Sequence, residues 1–294
     1  MTKLGIIGGS GLYDIEGLEA LHTQTLDTPF GTPSDQFTCG RLHDVEVVFL
    51  PRHGHNHTLL PHELNHRANI HAMKQLGVTH LLSISAVGSL TEEMRPRDVV
   101  IIDQYFDRTK RGGETQTFFG GGVAAHIAFG HPVCPELSSL AAAAAREAIA
   151  GSEAPDRRVF PTGTYVNIEG PAFSTQAESR FHRDNHLSVV GMTNLAEAKL
   201  AREAELCYCT VAMVTDYDCW HPDHDHVTVK LVVQNLTANV KLAKEIIRLV
   251  AGRVAGLPVR CPCPHALEHA LITRPTAISA ENRRKFELLI GKYL

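Results

Sequence analysis

HELNHRANIHAMKQLGVTHLLSISAVGSL, residues 62–90, changes its hydrophobic period halfway along. Leu64, Ala68, Ile70, Ala72, Met73 and Leu76 recur at mostly helical spacing, and Gly77 supplies the stop. From Leu81 to Ile84 the apolar residues run together as in a buried strand, and Ser85-Ala86-Val87-Gly88 reads as a small-residue turn. A helix feeding straight into a buried strand is the unit of an α/β fold whose sheet is largely parallel.

The same alternation extends outward. Leu4–Ile7 reads as a strand ending in the Gly8-Gly9-Ser10-Gly11 turn, and Val45–Leu50 as a strand ending at Pro51-Arg52-His53-Gly54. Further strands are expected at 98–103, 163–168, in SVVGM (188–192) and in CYCTVAMVTDYD (207–218), with helices in SSLAAAAAREAIA, LAEAKLAREAE and ENRRKFELLIGKY. Residues 227–257 read as one long helix or two joined ones. The glycine-rich polar segment within 107–135 reads as a flap. Without a repeat or a linker, the expectation is one α/β domain over 1–294, its central mixed, largely parallel β-sheet flanked by helices.

Composition narrows the function classes. Of 294 residues, 44% are hydrophobic and 20% charged, and no stretch approaches the roughly 20 apolar residues of a membrane span. The net charge of −4 disfavours a general nucleic-acid surface but allows a local pocket for a small anion. MTKLGIIGGSGLYD lacks the apolar core of a secretory signal, and seven scattered cysteines form no disulfide framework, so a cytoplasmic protein with reduced thiols is expected. Cys207-Tyr-Cys209 and Cys261-Pro-Cys263 are C-x-C pairs, unlike the wider spacing of zinc knuckles, so no metal is expected on them.

A parallel sheet would gather Ser10, Arg52, His53, Ser85 and Ala86 at its carboxyl edge. A guanidinium fork, an imidazole able to donate, hydroxyls and backbone amides suit inorganic phosphate. The dinucleotide fingerprint is absent, because Gly9 and Gly11 lack the third glycine.

TDYDCWHPDHDH (215–226) admits two readings. Asp216 and Asp218, two apart on a strand, would share one face, and crowding would raise the pKa of one so that it donates a hydrogen bond while the other accepts. That pair suits the imidazole edge and amino group of a leaving adenine. The rival is a metal held by His221, Asp223, His224, Asp225 and His226, but Pro222 interrupts it and no recognised ligand spacing is present.

LGIIGGSGL at 4–12, DTPFGTPSD at 27–35, RHGHNH at 52–57, NIEGPAFSTQAES at 167–179, GMTNLAEAKLA at 191–201 and TDYDCW at 215–220 together resemble the trimeric nucleoside phosphorylase family, in order from about residue 3 to 255. The resemblance implies a homotrimer that phosphorolyses methylthioadenosine to adenine and methylthioribose 1-phosphate, with phosphate as co-substrate and no cofactor or metal. It adds Thr193 to the phosphate set and assigns Phe173, Ser174, Met192, Asp216 and Asp218 to the base and ribose. His126 and Thr215 would lie near the 5'-methylthio group. Relatives acting on 6-oxopurines have an Asn at the recognition position, so the Asp pair implies a 6-aminopurine. The segment from about 256 departs from the family pattern.

A broader purine nucleoside phosphorylase, a nucleosidase using water and a catalytically silent binder of metal or nucleoside remain as alternatives.

Overall fold

The computed structural model describes residues 2–9, 12, 15–110, 115–222, 229–257 and 260–294, with the backbone alone over 229–234. Among the described residues eleven strands form one mixed, mostly parallel sheet, whose main path runs in the order β2 (Leu18–Gln24), β3 (Phe37–Leu42), β4 (Val45–Pro51), β1 (Lys3–Gly8), β5 (His80–Ser89), β10 (Val189–Gly191), β9 (Thr164–Asn167), β7 (Gln104–Asp107). β5 branches the sheet. Its first half pairs with β1 and its last residues with antiparallel β10, while β11 (Cys207–Tyr217) runs parallel along its whole length and leads on to β6 (Val99–Ile102) and β8 (Val159–Phe160).

Helices cover both faces. α2 (Pro135–Ala150) and α5 (Val229–Val254) pack one core with Leu4, Ile6, Phe49 and Val211, and the run of alanines in α2 lets α5 lie close. α1 (His66–Gln75), α4 (Asn194–Glu203) and α6 (Ala280–Ile290) pack the other with Ile7, Val48, Leu50 and Leu81. α1 starts where Asn65 accepts from the Ala68 N–H. It ends in a Schellman motif, with Gly77 at φ +77° and the Val78 N–H returning to Met73 O at 3.1 Å. Ile70 and Met73 are fully buried, each contributing about 1.5–3 kcal/mol by leaving water.

Three features differ from the sequence expectation, and one open alternative is resolved. The turn expected at 85–88 is strand, because β11 stays paired with β5 as far as Tyr217 and Ser89. The edge strand β2, its neighbour β3, the short strands β7 and β8 and the short helix α3 (Gln176–Asp184) are additional. Residues 229–254 form one continuous helix. Thr215 is a bulge in β11, where the register with β5 shifts between Val214 and Asp216.

Candidate active site

The carboxyl ends of β1, β4 and β5, the bulged end of β11 and the start of α4 surround a cleft of about 540 Å³. Arg52, His53, Ser85, Ala86, Phe173, Ser174, Met192, Thr193, Thr215, Asp216 and Asp218 all line it. Gly9 lines the same end as Arg52, whereas Ser10 lies outside the described residues.

At one end Arg52 is buried at 3% exposure. Its Nε donates to Glu197 Oε1 at 2.5 Å and its Nη2 to Glu197 Oε2 at 3.1 Å and Ser83 Oγ at 2.6 Å, while Nη1 donates to Ile84 O at 3.1 Å. Of its five N–H groups, one on Nη1 is left over among the described residues. Burial opposes charge on both partners, yet each guards the other's: the Arg52 pKa is raised, and Glu197 is held below the ordinary carboxyl value. Asn194 Nδ2 and Tyr208 Oη complete the cage around Glu197. Arg52 is therefore a fixed group rather than a free surface charge, and Glu197, Ser83, Asn194 and Tyr208 are site residues that sequence reasoning missed. A carboxylate inside the Ala- and Leu-rich face of LAEAKLA was the available signal.

His53 Nδ1 lies 2.8 Å from Leu59 O, which can only accept, so the ring proton sits on Nδ1 and Nε2 carries a lone pair. Burial, with Arg52 beside it, pushes the imidazole down to about 4. The expected donor is thus an acceptor near neutral pH, suited to a P–OH group. Thr193 stands at the N-cap of α4 without a capping bond from its own side chain, and the helix start adds positive potential. Ser85 is buried, whereas Ala86 is exposed to the cleft.

At the other end Asp216 and Asp218 meet above Gly88, where an added Cβ would come 3.0 Å from Asp216 Oδ1 and 3.5 Å from Asp218 Cβ. Burial pushes Asp216 up to about 6, with Asp218 adding to the rise and the Thr215 hydroxyl opposing it. Thr215 Oγ1 lies 2.6 Å from Asp216 Oδ2 and 3.2 Å from Val87 O. One hydroxyl proton serves both acceptors only in turn, but a protonated Asp216 can donate to Thr215 while Thr215 donates to Val87. Asp218 is 4% exposed, and its Oδ2 has no partner among the described residues. The Ser174 Oγ is likewise buried and unpartnered among them.

Phe173 is 46% exposed, an aromatic face open to the cleft. Met192 lies against Gly170. A largely apolar wall is formed by Leu12 and by Leu236, Val240 and Ala243 of α5, beside Asn239. His126 does not join this cleft within one chain: it is exposed, its N–H donating to Ala270 O at 2.8 Å. His221 pairs with Glu92 at 3.2 Å and stacks on Tyr217, while Asp223, His224, Asp225 and His226 lie outside the described residues.

The model of the phosphorylase superfamily matches residues 3–251. The S-methyl-5'-thioadenosine phosphorylase of Geobacter sulfurreducens is 52% identical over 291 residues, covering 99% of each chain, so the likeness runs on through the C-terminal segment. Among solved structures, a methylthioadenosine phosphorylase from an antarctic soil metagenomic library superposes with a TM-score of 0.92 at 42% identity, covering 98% of both chains. A single-substitution variant of the adenosine/methylthioadenosine phosphorylase of Schistosoma mansoni, in complex with methylthioadenosine, gives 0.82 at 34% identity, covering 91% of this chain and 96% of that one.

Proposed function

The chain belongs to the phosphorylase superfamily, and from that premise we infer that its cleft phosphorolyses S-methyl-5'-thioadenosine to adenine and 5-methylthioribose 1-phosphate. It is a pentosyltransferase. One observation carries the reading: a buried carboxylate pair, Asp216 and Asp218, occupies one end of a cleft whose other end holds Arg52, His53 and Thr193.

Phosphate binds between the Arg52 Nη1 N–H, the Thr193 and Ser85 hydroxyls and the backbone of Ala86, with Ser10 assigned to the same group. His53 Nε2 accepts the P–OH hydrogen. Adenine lies on Phe173, its N7 at protonated Asp216 and its amino group donating to Asp218 Oδ2. As the bond from C1' to N9 lengthens, the Asp216 proton passes to N7 and the base leaves neutral. A phosphate oxygen closes on the cationic C1' from the opposite face. Leaving-group protonation supplies about 10²–10⁴ in rate, and the held phosphate dianion stabilises the sugar cation electrostatically. No redox cofactor or metal takes part at the cleft.

The apolar wall of Leu12, Leu236 and Val240 receives the 5'-methylthio group, which favours it over a 5'-hydroxyl. A homotrimer accounts for His126, which on this reading serves a second copy's cleft from its own exposed segment. Among the described residues no helix is long and apolar enough to cross a membrane, and the assigned location is the cytoplasm.

Product chromatography after incubation with methylthioadenosine tests the activity. Adenine and methylthioribose 1-phosphate appear only when phosphate is present. Adenine released equally without phosphate would make the protein a hydrolase.

A further inference from the structure

Four cysteines from three distant parts of the chain converge in the core packed by α2 and α5. Cys134 is the N-cap of α2, Cys207 opens β11, and Cys261 and Cys263 head the C-terminal segment. Their sulfur atoms all lie within 4.8 Å of one another, and Cys207 Sγ is 3.4 Å from Cys261 Sγ. All four residues are buried, at 1, 2, 7 and 1% exposure in chain order, and none is in a disulfide. Sulfurs at the corners of a tetrahedron around zinc, each about 2.3 Å from the ion, are about 3.8 Å apart. The cluster is already close to that size.

The C-x-C spacing, which argued against a metal in the linear sequence, does not stand in the way in three dimensions. In extended chain, residues two apart are separated by about 6.6 Å. Pro262 instead adopts φ −75°, ψ 0°, a helical turn that brings Cys261 and Cys263 to the same point. Backbone amides support the sulfurs: the Leu137 N–H faces Cys134 and the Cys263 N–H faces Cys261. Hydrogen bonds of this kind orient metal-bound thiolates. Cys209 is buried elsewhere along β11 and does not belong to the group.

We propose that Cys134, Cys207, Cys261 and Cys263 form a structural Zn²⁺ site of the Cys₄ type, remote in role from the cleft, that fastens the C-terminal segment to the body of the domain. Each thiol gives up its proton to solvent as its Zn–S bond forms, so uptake is accompanied by proton release. The fastened segment reaches well beyond its anchor. Leu267 N–H donates to Glu205, Ala270 O accepts from the His126 N–H, and α6 packs against Phe30 and Phe118. The ion therefore helps to hold in place the segment that carries His126, bridged to Leu271 at Ala125.

The test is elemental analysis of the full chain, made in zinc-replete medium and purified under reducing conditions without chelator. About one zinc per chain is expected, as for other closed thiolate sites. Replacement of that zinc by Co²⁺ should give the intense thiolate-to-cobalt absorption of a tetrahedral sulfur site, a readout that needs no variant to fold. Cys261→Ser should abolish stoichiometric zinc and lower Tm, while Cys39→Ser, in a different part of the core, should keep the ion. Less than about 0.1 metal per chain would overturn the proposal. Thiol titration of the denatured protein would then show whether free thiols or disulfides fill the cluster.

Discussion

Glu197 grips Arg52 through two hydrogen bonds, Nε to Oε1 and Nη2 to Oε2, with both side chains almost wholly out of water. Removing one member leaves the other's charge buried and unpaired. Glu197→Ala should therefore cost about 3–5 kcal/mol of stability. Calorimetry checks it, and Arg52→Met with Glu197→Leu should recover part of the loss. A single variant within 1 kcal/mol of the parent, on the order of a surface pair, would show that the pair is not closed in solution.

Asp216 should set activity against stability. Its folded pKa of about 6 lies above the ordinary 3.8, so folding favours the protonated form. Stability from this group is full below the unfolded value and is lost as pH rises from about 4 through 6, roughly 3 kcal/mol in all. Asp216→Asn should match or exceed the parent's Tm at pH 7.5, with the difference vanishing near pH 4, and should lower kcat by about 10²–10⁴. Near-full activity in that variant would remove Asp216 as the proton donor.

His53 should stay neutral throughout the working pH range. Its ring resonances in NMR should titrate with a midpoint near 4 and report a proton on Nδ1. A midpoint above 6 would return the imidazole to the role of cationic donor.

The α5 wall should govern the choice at the 5' position. Leu236→Asn places an amide where the methylthio group is assigned and should shift the kcat/KM ratio of methylthioadenosine to adenosine down by about 10- to 100-fold. An unchanged ratio would move 5' recognition to another residue.

The strands whose ends carry chemistry were legible because their buried interiors are unbroken apolar runs, as in Ile6-Ile7 of β1 and Val47–Leu50 of β4. β2 was not, since LEALHTQ is exposed along nearly all its length and shows no two-residue alternation. α3 was missed for a similar reason, because only Ser179 and His182 of its nine residues are buried. Ser85 to Gly88 resembled a turn because its side chains are small, and that smallness makes room for Asp216 and Val190 over Gly88. Glu197 looked like an ordinary helix-surface acid, since its partner is 145 positions away. The cysteine cluster escaped because each local pair has the wrong spacing and the decisive ligands are contributed by Cys134 and Cys207.

The branching of the sheet at β5 also sets a length. Ser85, at the end of the cleft that holds Arg52, and Gly88, beneath the carboxylates, are three steps apart on one strand, about 10 Å at the usual rise. Because β11 is paired to that strand residue by residue from Ser85 to Val87 and resumes at Gly88 after the Thr215 bulge, the interval behaves as a fixed ruler. Inserting or deleting a single residue between its two marks would change the measured span and turn the following side chains to the opposite face. Variation in what this enzyme accepts is therefore confined to the walls of the cleft, while the distance between its two ends is held by the backbone.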